Sequence, residues 1–169
     1  YQITDADKSA SIYLEKRIRE HLARGNKANC KNVLVGGHSK GGNLAAYAAT
    51  TCPKELLGTL ERVWSNDGPN IDPEILSLSA HDILGDKYIR IIPEFSVVGM
   101  IFDNPAIPRI IVKSSENGMY AHDGVSWLIE RDAFQTADDL QPECKKINEA
   151  FSSWYKKLPL NEREHFTNE

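Results

Sequence analysis

No run of apolar residues in the chain is long enough to cross a bilayer, and no charged start leads into an apolar block of the signal-peptide kind. Cysteine is scarce: Cys30, Cys52 and Cys144 are an odd number at wide spacings, which gives neither a disulfide framework nor a C-x-x-C metal pair. A reducing, cytoplasmic setting fits that usage, and no metal or cofactor is expected. Basic charge is not in excess either. Lys and Arg number 20 against 24 Asp and Glu, the formal net charge is -4, and no Lys/Arg cluster stands on one element. Such a chain lacks the field to hold a polyanion, so nucleic acid is excluded as an expected partner. Internal repeats, low-complexity tracts and linker-like stretches are also missing. What remains is 169 residues, 41% hydrophobic and 26% charged, enough for one globular domain over 1–169 with a real core.

The apolar pattern alternates between short strands and helices. From Asp5 to Leu22, Ile12 or Tyr13, Ile18 and Leu22 recur at helical intervals, and Gly25 follows as a stop. Asn32 to Gly36 is an apolar run too brief for a helix and closed by paired glycines, which suits a buried parallel strand. Asn43 to Thr50 holds strong helix formers and ends at Cys52-Pro53. Leu60–Ser65, Tyr88–Ile92 and Ile110–Lys113 read as further strands, and Pro73–Leu84 as a helix. Val125–Phe134 is ambiguous. Cys144–Lys157, with Ile147, Phe151 and Trp154 at helical intervals, reads as a packing helix. Strands separated by helices predict an α/β fold with a mostly parallel sheet flanked by helices.

Between the first strand and its helix lies Gly37-His38-Ser39-Lys40-Gly41. A serine hydroxyl is a poor nucleophile, and an enzyme that uses one must expose it beside a base, with backbone N–H groups aimed at the developing oxyanion. A sharp strand-to-helix turn does this, with glycines two residues before and after the serine relieving the clash where the elements converge. The amide of Lys40, directly after Ser39, is the expected first oxyanion donor, at the positive end of the helix dipole. A phosphate loop is excluded, because Asn43 follows Gly42 where Lys-Ser/Thr would be needed.

The segment Gly37-His38-Ser39-Lys40-Gly41-Gly42-Asn43-Leu44-Ala45 resembles the signature of an uncharacterised bacterial family of lipase-like α/β-hydrolases, related to fungal-type lipases that carry Leu where Lys40 stands. The likeness continues through Asn66-Asp67-Gly68-Pro69, Pro93-Glu94-Phe95-Ser96-Val97-Val98-Gly99-Met100 and Ala121-His122-Asp123-Gly124-Val125-Ser126-Trp127. It implies a partial α/β-hydrolase fold, with the chain as the C-terminal portion and the N-terminal strands absent. It also implies nucleophile, acid and base in that order along the chain, and a small-molecule ester or lipid as substrate.

His122 lies on a loop after the last expected strand and is the candidate base. His21 belongs to a helix face, His38 to the elbow, His81 to a helix and His165 to the chain end. For the acid, Asp67 stands at the exit of the strand after the elbow, one of the two places from which a carboxylate can orient the ring. The fungal-type lipases carry their Asp after the next strand, where Ser96 aligns, which leaves Asp103, Glu94 and Asp123 as alternatives. Ile75, Leu76, Leu78, Ile83 and Leu84 form either a lid or a packed helix, and Trp127, Trp154 and Phe151 are expected in the core. Three functional readings follow. One is a serine esterase working through an acyl-enzyme; another is an acyltransferase or thioesterase using the same residues; the third is a binding module or degenerate hydrolase that keeps the turn. The first strand is expected to pair along its open edge with another chain or an N-terminal segment.

Overall fold

The computed structural model describes residues 3–25, 33–76 and 78–159. Four parallel strands, β1 (Val33–His38), β2 (Leu60–Asn66), β3 (Tyr88–Pro93) and β4 (Ile110–Val112), lie side by side in chain order. Around them are α1 (Asp5–Ala23), α2 (Lys40–Thr50), the short α3 (Ala80–Leu84) and α4 (Pro142–Lys157). The expected parallel sheet flanked by helices is present. The ambiguous stretch after β4 forms a two-residue antiparallel pair, β5 (Ile129–Glu130) and β6 (Ala133–Phe134). Among the described residues no helix is long and apolar enough to cross a membrane.

Side chains alternate across the sheet, so its two faces carry different cores. One face presents Val63, Tyr88 and Ile92. Against it pack Leu14 and Ile18 of α1, Ala46 and Ala49 of α2, Leu84 of α3 and Cys144 of α4. The other face joins Ile91 and Val112 to Trp127. The alanines of α2 bring that helix close to β1 and β2, and this proximity fixes the turn between β1 and α2.

Several expectations are corrected. Strand β1 runs through Gly36 and Gly37 to His38 rather than stopping at Gly36, because the register with β2 continues to the pair His38 with Asn66. It is not buried: it stands at the margin of the described sheet, with Leu34 58% exposed. Asn32 lies outside the described residues, as do Cys30 and His165. Helix α1 buries Leu14 and Ile18, and leaves Ile12 and Tyr13 in solvent. On α4 the packed side is Cys144, Asn148 and Tyr155, while Ile147 and Trp154 are exposed. Polar bonds from Cys144 and Asn148 select that side, as described below, and a purely apolar periodicity misses it. Trp154 is therefore not core, although Trp127 is. The helix expected from Pro73 begins only at Ala80, where Ser79 and Asp82 form a reciprocal capping box. Leu84 is buried and Ile83 packs against the same core, so these two seal the sheet rather than forming part of a lid.

Burial also governs the thiols. It pushes the Cys52 thiol up to about 11, with Glu15 and Glu55 adding to the effect, and it raises that of Cys144. The reactive form is the thiolate, whose fraction falls as the pKa rises. In the native protein, peptide mass mapping after iodoacetamide at pH 7.5 should find both cysteines unmodified, with Cys52 becoming reactive only as the pH approaches 11. Adding urea at pH 7.5 should expose both, whereas rapid native alkylation of Cys144 contradicts the packing of α4.

Candidate active site

Ser39 links β1 to α2 with φ 56° and ψ -130°, a region that non-glycine residues rarely adopt and that costs about 1–3 kcal/mol. Hydrogen bonds hold it there. Its N–H donates to Asn66 O at 2.9 Å, and its carbonyl accepts from Gly42 N at 2.9 Å and Asn43 N at 3.3 Å. The side chain forms no cap bond to the helix it precedes. Glycine is needed at Gly37, where a Cβ would sit 2.3 Å from the carbonyl carbon of Gly41, and at Gly42, where it would meet Gly37 O at 2.9 Å. Gly41 itself faces open space. The second glycine of the five-residue motif therefore matters as backbone that Gly37 approaches, and the close contact to the sheet is made one residue later. Asn43 completes the turn, its Nδ2 donating to the carbonyls of Pro69 and Asn70.

One strand over, Asp67 occupies the residue after β2, and His122 ends the 3-10 turn Gly118–His122. Asp67 has φ 46°, a left-handed conformation that aspartate tolerates better than most residues, and its N–H donates to Ile91 O at 2.7 Å. Its carboxylate is fully buried. Nδ1 of His122 donates to Oδ2 at 2.6 Å, while the Ser96 hydroxyl and the Gly99 N–H, the latter at 3.1 Å, donate to Oδ1. With its proton committed at Nδ1, a neutral His122 carries its lone pair at Nε2. His122 is further held through its backbone: Nε2 of His38 donates to its carbonyl at 2.7 Å, and the two rings lie 4.5 Å apart. The register places His38 opposite Asn66, so the residues before Ser39 and before Asp67 are paired neighbours. Nucleophile, carboxylate and imidazole candidates are thus gathered at the carboxyl ends of β1 and β2.

The other acids are elsewhere. Asp103 bridges Arg90 at 3.2 Å and Arg109 at 2.7 Å. Asp123 accepts from Val125 N and caps the next turn. Glu94 is fixed by its backbone to Val112 and Gln141. Lys40 opens α2, and its ammonium donates to Asn43 Oδ1 at 3.1 Å, with the buried Asp7 at 3.9 Å. A cavity of about 460 Å³ is bounded by Asn70, Asp72, Tyr88, Phe102, Asp103 and Tyr155 among others, and Ser39, Asp67 and His122 do not line it. Among the described residues no group of three His, Cys, Asp or Glu could hold a metal ion.

Sequence reasoning selected Ser39, Asp67 and His122 but missed the contacts of Ser96, Gly99 and His38. Ser96 and Gly99 lie within the segment Pro93 to Met100, yet no spacing rule connects them to a residue 29 and 32 positions away. The glycine geometry yields a sharp contrast. Gly37→Ala should cost upwards of about 3 kcal/mol in urea denaturation or prevent folding, since backbone must move to admit the methyl. Gly41→Ala should remain within about 1 kcal/mol of wild type, on the stabilising side, because alanine is the better helix former.

No curated protein and no solved structure matches the chain. A family model described as Mbeg1-like matches residues 2–169, nearly the whole chain. The chain belongs to the Mbeg1-like family.

Proposed function

We propose that this protein is a serine hydrolase of the α/β-hydrolase kind, lipase-like in its elbow, that cleaves carboxylic esters through an acyl-enzyme. One observation carries the reading: the buried Asp67 carboxylate holds Nδ1 of His122 at 2.6 Å, beside the strained turn that carries Ser39. A structural Asp-Gly turn needs no imidazole partner, and a surface histidine needs no buried carboxylate.

In this mechanism Nε2 of His122 removes the proton from the Ser39 hydroxyl as Oγ attacks the ester carbonyl carbon. The carbonyl π pair moves onto oxygen, and the Lys40 amide at the start of α2 donates to that oxyanion. Asp67 orients the ring and stabilises the imidazolium without taking its proton. Collapse of the adduct expels the alcohol, which leaves with the proton from Nε2. Water then enters by the same route: His122 takes its proton as the oxygen adds to the acyl carbon, and as the acyl–Oγ bond breaks the imidazolium returns that proton to Ser39 Oγ, which frees the acid and restores the enzyme. An amine, thiol or second alcohol in place of water would give acyl transfer with the same groups, and a thioester would follow the same path.

The substrate is a small ester or lipid held over the carboxyl ends of β1 and β2, and the setting is cytoplasmic. The outer edge of β1, with Leu34 exposed, pairs with a further segment or a second chain, since an open apolar edge invites strand addition.

Two experiments test these statements on the full-length protein. A fluorophosphonate should label Ser39 covalently, Ser39→Ala and His122→Ala should abolish labelling, and Asp67→Asn should slow it by about 10²–10⁴-fold. Folded wild type that never labels points instead to a binding module that retains the turn. Hydrogen exchange should find the outward-facing amides of β1 protected for minutes or longer; exchange at the rate of free peptide removes the edge partner.

A further inference from the structure

Building on the serine-hydrolase reading, we infer that Ser96, its backbone anchored on α4, is a positioning residue whose hydroxyl locks the Asp67 carboxylate in the orientation that holds His122. A carboxylate at a strand end can rotate about χ1 and χ2, and only one of its rotamers presents an oxygen to the imidazole. Here that freedom is removed by donors on the opposite oxygen. Ser96 and Gly99 both bond Oδ1, leaving Oδ2 for His122. Gly99 can do so only as glycine, because a Cβ there would lie 2.4 Å from Oδ1.

The clamp is fixed at its far side as well. The N–H of Ser96 donates to Sγ of Cys144 at 3.2 Å, and its carbonyl accepts from the Cys144 thiol at 3.0 Å and from Nδ2 of Asn148 at 3.1 Å. Ser96, Cys144 and Asn148 are 1%, 0% and 7% exposed, so water does not compete for these bonds. This arrangement gives the polar side of α4 its purpose. The helix buries Cys144 and Asn148 instead of Ile147 because those two hold the loop that holds the acid.

The test measures fluorophosphonate labelling and the hydrolysis of a short-chain nitrophenyl ester by the full-length protein. Ser96→Ala should lower kcat and the labelling rate about tenfold with KM within twofold of wild type, because the ester does not touch Ser96. Ser96→Thr, which keeps the hydroxyl, should recover labelling to within about threefold. In an Asp67→Asn background, Ser96→Ala should slow labelling less than twofold further, since its effect passes through the carboxylate. Should Ser96→Ala give no cooperative melt, Asn148→Ala decides, with a two- to fivefold fall in kcat and unchanged KM expected. Wild-type kcat in Ser96→Ala, or in Asn148→Ala where that variant decides, overturns the assignment, as does a full tenfold loss that persists in the Asp67→Asn background. These outcomes leave labelling of wild type intact; failure of wild type to label overturns the hydrolase reading and this inference together.

Discussion

A carboxylate with no access to water organises this molecule. Asp67 sits at the exit of β2 in a left-handed conformation, and three donors from two separate loops converge on it: Ser96 and Gly99 after β3, and His122 after β4. Burying a carboxylate without such partners costs several kcal/mol, so the loop after β3 and the turn after β4 must both close before the group can be accommodated. The two loops are thereby tied to one point. Because β1 and β2 are in register up to His38 and Asn66, that point is also beside Ser39.

The elbow depends on the same economy of space. Ser39 adopts its strained backbone because β1, β2 and α2 leave no alternative, with Gly37, Gly42 and Gly68 each in contact too close for a side chain. A Cβ on Gly68 would approach Ser39 O at 2.7 Å and Asn43 N at 2.9 Å, so the turn carrying Asp67 is packed directly on the turn carrying Ser39. Strain in one is supported by burial in the other. Asn43 joins them through its bonds to the Pro69 and Asn70 carbonyls, which explains why an amide, and not an apolar residue, stands at a buried position of α2.

Local signals were legible where the chemistry is local. The five-residue motif with a strand before it and a helix after it located the elbow, and the Asn-Asp-Gly-Pro cluster located the exit of β2. Hydrophobic periodicity succeeded for the existence of α1 and α4 and for Ile18 and Leu22 on the packed side of α1, but it misassigned Ile12 and Tyr13 there and chose the wrong side of α4 at Ile147 and Trp154. In α1 the buried pair is Leu14 and Ile18, one turn apart, and Ile12 and Tyr13 are excluded by nothing in their own character. In α4 the burial of Cys144 and Asn148 is decided by the carbonyl and amide of Ser96, 48 and 52 residues away. The start of α3 was misplaced because a capping box at Ser79 outweighs the helix-forming residues before it.

By itself the sequence determined the alternation of strands and helices, the sharp turn at Ser39 and the short list of candidate acids and bases. These follow from propensity, glycine placement and chain order, all of which operate over a few residues. Only the tertiary structure decided which carboxylate meets His122, sending Asp103 to two arginines and Asp123 to a cap while burying Asp67 against the imidazole. The reason is physical: which carboxylate meets an imidazole 55 residues away depends on strand register and loop closure, and neither is written in the residues that meet.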